Sequence, residues 1–125
     1  MLLNVFVICV SACIGALLRW GFSTWLNPGG WLPWGTLAVN LIGGYLVGLA
    51  IAGFTALPDI NPAWRLVVVT GFLGSLTTFS SFSAEVVGMM VAGRPGDALV
   101  TVALHLGGSL LLTWLGFRTV QYLMA

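Results

Sequence analysis

Apolar residues run through this chain in four long blocks, parted by three short clusters rich in Pro, Gly, Asn and Asp: "NPGGWLP" at 27–33, "LPDINP" at 57–62 and "GRPGD" at 93–97. Such clusters punctuate regular structure, because Pro cannot continue a helix and Gly, Asn and Asp suit turns. The blocks predict helices over about Leu3–Leu26, Leu32–Ala56, Trp64–Ala92 and Ala98–Leu123. Each exceeds the roughly 20 residues needed to cross a bilayer's hydrocarbon core. Trp25, Trp31, Trp34 and Trp64 fall at span ends, where an amphipathic ring suits the membrane–water interface. What remains is too short for a soluble domain or a long linker. The first block lacks a basic leading region and stays apolar well beyond the core of a signal peptide, so it reads as a retained span.

Composition removes the soluble alternative. Of 125 residues, 59% are hydrophobic and 6% charged, with a mean hydropathy of +1.08; a soluble domain carries roughly a quarter charged residues. The predicted fold is therefore an all-α integral membrane protein, one four-helix transmembrane domain over residues 1–125. A net charge of +1, with no Lys, leaves no basic footprint for nucleic acid. Cys9 and Cys13 lie four apart in an apolar stretch and read as small buried hydrophobes rather than a zinc or disulfide site.

The few charges also bear on topology. Four spans put both termini on one side, with Arg65 and Arg118 nearest that side and Arg19 and Arg94 nearest the other. Two against two gives the positive-inside rule nothing to act on. The simplest reading is a chain that inserts both ways; the alternative is an orientation fixed by subtler signals. Many transporters place their site between two inverted halves. Four spans are few to enclose a pore, but pairing with an inverted copy supplies the missing half. The expected assembly is an antiparallel, dual-topology homodimer.

Polar groups inside the spans are the candidate chemistry. In the second span Gly44, Gly48 and Ala52 make a small-residue face for close helix packing. Asn40 extends that line, either as glue between helices or as an amide facing a polar pathway. In the fourth span Thr101, His105, Ser109 and Thr113 recur every four residues, one helical stripe. It faces a permeant or packs against a neighbouring helix. For His105 a pathway donor, a pH-sensitive group and a packed neutral imidazole all remain open. Arg19 either snorkels to the interface or serves as a structural or pore-mouth cation. Glu85 is the one acid inside a span. In an anion pathway it would have to be protonated, displaced or paired.

The third span, at about 29 residues, is longer than one crossing needs, and it contains "GFLGSLTTFSSFS" at 71–83. Gly71 and Gly74 ahead of a hydroxyl cluster invite a break in the helix. Broken backbone at membrane depth survives only where protein buries it or it lines a cavity, and its freed carbonyls can coordinate a small cation. Phe79 and Phe82, three apart, follow the break. Their positive ring edges can meet an anion, or the rings can face lipid or the dimer partner.

Three motifs in order, "GALLRW" at 15–20, "GTLAVNLIGGYLVG" at 35–48 and "GFLGSLTTFSSFS" at 71–83, resemble the Fluc/CrcB-type fluoride channels across nearly the whole chain. Small departures are Trp20, where that family often has Tyr, and Ser81, where Thr is frequent. The resemblance implies a passive, fluoride-selective channel that exports fluoride across the bacterial cytoplasmic membrane and lowers its toxicity, working in the lipid bilayer as an antiparallel homodimer with two pores. It implies that Phe79 and Phe82 line the fluoride path and that Asn40 is the pore asparagine. Ser109 and Thr113 match the hydroxyl track, and Ser83 and His105 join the candidate pathway. The carbonyls of Gly74 and Thr77, from both subunits, would hold a central structural sodium ion, and Arg19 matches the first-span arginine. No enzymatic activity is expected.

A competing function is a small, dual-topology, proton-coupled multidrug exporter. That chemistry wants a membrane carboxylate in the first span, which here carries Arg19 and no acid; Glu85 is the only substitute.

Overall fold

In the computed structural model, which describes residues 1–125, the chain is all helix, with four helices long and apolar enough to cross a membrane. α1 is Leu2–Leu26 and α2 is Trp34–Ala56. The third span covers Ala63–Val91 and has two parts. Its first part, α3 (residues 63–76), opens with an α turn, continues as a π-helix over Leu66–Leu73 and closes with the turn Gly74–Leu76. Thr77 and Thr78 then adopt extended backbone, at φ −83°, ψ 157° and φ −150°, ψ 119°. The second part, α4, is Phe79–Val91, and the last span, α5, is Pro95–Leu123.

Local sequence explains the joints. Thr78 is the N-cap of α4: its hydroxyl accepts the Ser81 backbone N–H at 3.1 Å, satisfying one of the orphan donors of a helix start. α4 ends at Gly93, whose φ of +75° suits the left-handed residue that closes a helix. The Gly93 and Arg94 N–H groups return to the Met90 and Met89 carbonyls. Pro95 then occupies the first turn of α5, where a missing N–H costs nothing. On the same side, Asn27 reaches across from the end of α1. Its Oδ1 accepts the N–H groups of Gly35 and Thr36 at 2.8 and 3.2 Å, capping α2 from outside that helix. Arg94 donates to the Trp31 carbonyl and pairs with Asp97 at 2.7 Å, joining the 27–33 and 92–94 connections, as four alternating crossings require.

Only 19 of the residues are buried, and the exposed surface carries most of the large hydrophobic side chains, which suits a protein whose solvent is lipid. The small core joins Val39 to Leu73 and Leu76. α1 lies along α3, and α2 lies along α5, while α4 packs on α5. The two parts of the third span thus rest on different helices, and they part company at Thr77–Thr78.

Small residues set these contacts, since apolar surface drives little association within a lipid phase. Gly15 of α1 lies against the Phe72 carbonyl, and Gly71 lies against the Ser11 hydroxyl. On the other seam Gly48 faces the Thr113 carbonyl, and Gly116 faces the Tyr45 carbonyl. Cys9 and Cys13, expected to be buried, are exposed. α1 turns Ser11 and Gly15 inward instead, because only side chains that small admit α3 so closely.

Candidate functional site

A cleft of about 420 Å³ opens beside Thr77–Thr78, between α2, α3, α4 and α5. Its walls bring together Asn40, Gly74, Thr77, Phe79, Phe82, His105 and Ser109. Sequence position scatters these residues over three spans; the extended step gathers them.

Asn40 holds the step. Its Oδ1 accepts the Thr78 backbone N–H at 2.8 Å, and its Nδ2 donates to the Thr78 carbonyl at 2.9 Å. One amide side chain thereby satisfies both backbone groups of a residue that has left the helix, as a neighbouring strand would. The second Nδ2 hydrogen goes to His105 Nδ1 at 3.0 Å. Both amide donors are engaged within the chain, so Asn40 acts as interhelical glue while lining the cleft.

These bonds redirect the backbone. Thr78 N–H would ordinarily close on the Gly74 carbonyl and Ser81 N–H on the Thr77 carbonyl; they go instead to Asn40 and to the Thr78 hydroxyl. The Ser75 carbonyl between them accepts Arg19 Nε at 3.0 Å. Arg19 thus turns inward to the step and lies outside the cleft walls. The Thr77 hydroxyl donates to the Leu73 carbonyl at 2.9 Å, so it is engaged within the chain.

Aromatic rings form the opposite wall. Phe79 and Phe82 meet edge to face, with centroids 5.6 Å apart and planes at 65°. Phe82 is buried, whereas Phe79 is 73% exposed. The His105 ring lies over Phe82 at 4.5 Å and 31° and is itself buried. Phe79, Phe82 and His105 form a continuous series along the cleft.

The α5 stripe divides. His105 and Ser109 line the cleft. Thr101 is fully buried, with its hydroxyl donating to the Asp97 carbonyl at 2.8 Å. Thr113 donates to the Gly44 carbonyl at 2.9 Å, which fastens α5 to α2. Ser83 is exposed on α4 and lies outside the cleft walls.

Glu85 also lies outside them. Its Oε1 accepts the Thr36 hydroxyl at 2.6 Å, and Asn27 donates to that hydroxyl at 3.4 Å. Thr36 and Thr78 carry structural roles that hydropathy alone passes over. For Thr78 the available signal was a Thr directly before the second helical run, the ordinary place for a cap. For Thr36 no pattern within the chain announces a carboxylate partner 49 residues away.

Fold and cleft define a multi-pass membrane protein with a largely apolar, aromatic-lined cleft that carries a few polar groups at a non-helical step inside one span. The family described as "CrcB-like protein, Camphor Resistance (CrcB)" matches residues 6–117. The chain belongs to this family. It is 67% identical over 125 residues to a protein of Paracidovorax citrulli called "Fluoride-specific ion channel FluC", covering 100% of this chain and 99% of that one. A protein of the same name from Variovorax paradoxus is also 67% identical, with both chains covered in full. One from Pseudomonas putida is 51% identical, with 98% of each covered.

Proposed function

We propose that this chain is a passive fluoride channel of the bacterial cytoplasmic membrane, that it works as an antiparallel homodimer of dual topology, and that it lets fluoride leave the cell. The observation that carries the reading is the cleft, where non-helical backbone, a hydroxyl and two phenylalanine rings meet. Non-helical backbone at membrane depth requires a protein or water surround rather than lipid. A second copy laid over the cleft would provide it, and the even division of arginines between the two sides permits that copy to be inverted. The printed names of the relatives supply the ion.

Fluoride holds its hydration water strongly, so a narrowing path has to offer donors in exchange. Ser109 offers a hydroxyl, and Phe79 and Phe82 offer positive ring edges. Ser83 and Thr113 would join the path only through the partner copy or a change of rotamer, since neither lines this cleft. None of these groups carries full positive charge, which would trap the ion; conduction needs weak binding at several places. An inside-negative potential favours anion exit by about 2.3 kcal/mol per 100 mV, so export requires no pump. Arg19, bonded to the Ser75 carbonyl, lies outside the cleft walls.

The Gly74 and Thr77 carbonyls, freed by the diverted N–H groups of Thr78 and Ser81, are hard oxygen donors of the kind a sodium ion accepts. A sodium held there would neutralise clustered carbonyl dipoles at the dimer centre. The chain has no group of three or more His, Cys, Asp or Glu side chains placed to hold a metal; the donors of this proposed site are backbone oxygens.

Purified protein in liposomes loaded with potassium fluoride, diluted into fluoride-free buffer with a potassium ionophore, should release fluoride at a rate set by voltage. Release no faster than from empty vesicles refutes the channel. Release that depends on a proton gradient favours the exporter, a reading weakened by the engagement of Glu85 with Thr36.

A further inference from the structure

His105 Nε2 is buried and bonds to nothing within the chain. The residue lines the cleft and is only 3% exposed, so Nε2 is an unpaired polar atom kept from lipid and water. Which nitrogen carries the proton is decided by the hydrogen-bond chain on its other side, and that chain starts at the main chain.

The Thr78 N–H can only donate and its carbonyl can only accept. Asn40 meets both, at 2.8 and 2.9 Å. Its amide therefore has one orientation, because turning it over would oppose donor to donor and acceptor to acceptor. The remaining Nδ2 hydrogen points to His105 Nδ1 at 3.0 Å. Nδ1 must then accept, so the neutral ring carries its proton on Nε2. An imidazolium would set Nδ1–H against Asn40 N–H and break the chain. Phe82, packed against the imidazole with centroids 4.5 Å apart and planes at 31°, resists its rotation.

We propose that the extended Thr78 backbone, acting through Asn40, locks His105 into the Nε2–H tautomer and so makes it a fixed, uncharged donor to the anion passing through this cleft. Asn40 is on this view a positioning residue: its own donors are consumed, and its effect on the ion arrives through the imidazole. An N–H without formal charge strips little affinity from the next site on the path, as conduction demands. The proposal deepens the fluoride reading and rests on it for the identity of the ion.

His105 is the only histidine in the chain, so ¹⁵N-histidine labelling gives one imidazole pair to observe. In nanodiscs, wild-type protein should show a non-protonated Nδ1 and a protonated Nε2. Addition of potassium fluoride should shift the Nε2–H signal, while potassium chloride should leave it in place. In Asn40→Leu the tautomer preference should be lost. Liposome flux supplies the second arm. His105→Gln keeps an N–H near the Nε2 position and should retain flux within a few-fold of wild type. His105→Asn keeps a polar group near Nδ1 but has no donor at Nε2, and should lose about tenfold, the scale of one hydrogen bond. A proton on Nδ1, an Nε2 indifferent to fluoride, or equal flux in the Gln and Asn variants overturns the proposal. Wild-type protein that carries no fluoride defeats the functional reading instead, and the tautomer still decides whether the relay exists.

Discussion

The α2–α5 seam gives a graded prediction from three glycines of one helix. A methyl group added at Gly48 would overlap the Thr113 carbonyl oxygen and stand 3.0 Å from its carbonyl carbon and 3.1 Å from Gly116 Cα. Carbon atoms in contact prefer about 3.5–4.0 Å, and these neighbours are main chain, so α5 as a whole has to retreat by about half an ångström or more. At Gly44 the same methyl would stand 3.1 Å from the Ser109 carbonyl oxygen and 3.4 Å from Ser109 Cα and Thr113 Oγ1, so a shift of α5 by a few tenths of an ångström suffices. At Gly53 it would meet nothing within 4 Å. Overpacking of this kind costs about 1–3 kcal/mol. Gly48→Ala should therefore fall at the upper end of that range, Gly44→Ala near the lower end, and Gly53→Ala at about zero. Reversible unfolding in mixed micelles, followed against the mole fraction of SDS, measures all three. Retreat of α5 also strains the Asn40–His105 contact, so flux should fall in the same order. Gly48→Ala as stable as Gly53→Ala would refute the close seam.

Other consequences are open to test. Phe79→Ile and Phe82→Ile should each lower fluoride flux about tenfold or more while the dimer still assembles by size-exclusion chromatography; unchanged flux in both removes the rings from the path. Thr78→Ala deletes the cap of α4 and should cost about 0.5–2 kcal/mol in the same SDS titration, whereas Thr78→Ser should recover most of it; equal loss in both variants shows that the hydroxyl is not the cause. With Cys9 and Cys13 replaced by Ala, a cysteine at exposed Asp59 should react with an impermeant maleimide from both faces of the membrane. Labelling from one face alone refutes dual topology.

Four apolar blocks were visible in the sequence because the bilayer imposes a length and excludes charge, and both constraints act on every residue of a span. The small-residue face at Gly44 and Gly48 was equally legible, since helix–helix approach depends on side-chain size at a fixed spacing. The polar stripe was not legible in the same sense. Thr101, His105, Ser109 and Thr113 share a face by periodicity, yet Thr101 closes on Asp97 and Thr113 on Gly44, leaving His105 and Ser109 for the cleft. Periodicity reports direction; it does not report which carbonyl lies within reach. Asn40 shows the same limit. Its spacing placed it beside the glycines, but its bonds depend on two extended residues 37 and 38 positions further on. The inward face of α1 was misread at Cys9 and Cys13, because hydropathy ranks Cys above Ser and Gly, whereas close packing selects the smallest group.

The distances along the chain between these partners have a consequence for biogenesis. Asn40 finds Thr78 and His105 at sequence separations of 38 and 65 residues, and Thr36 finds Glu85 at 49. At about 5–20 residues per second, the second span leaves the ribosome several seconds before the groups that satisfy it. During that interval an amide and a hydroxyl wait in or near hydrocarbon. The helical hairpin made of the first two spans is therefore an unfinished intermediate, and the insertion machinery has to retain it, or leave it mobile, until the second hairpin arrives.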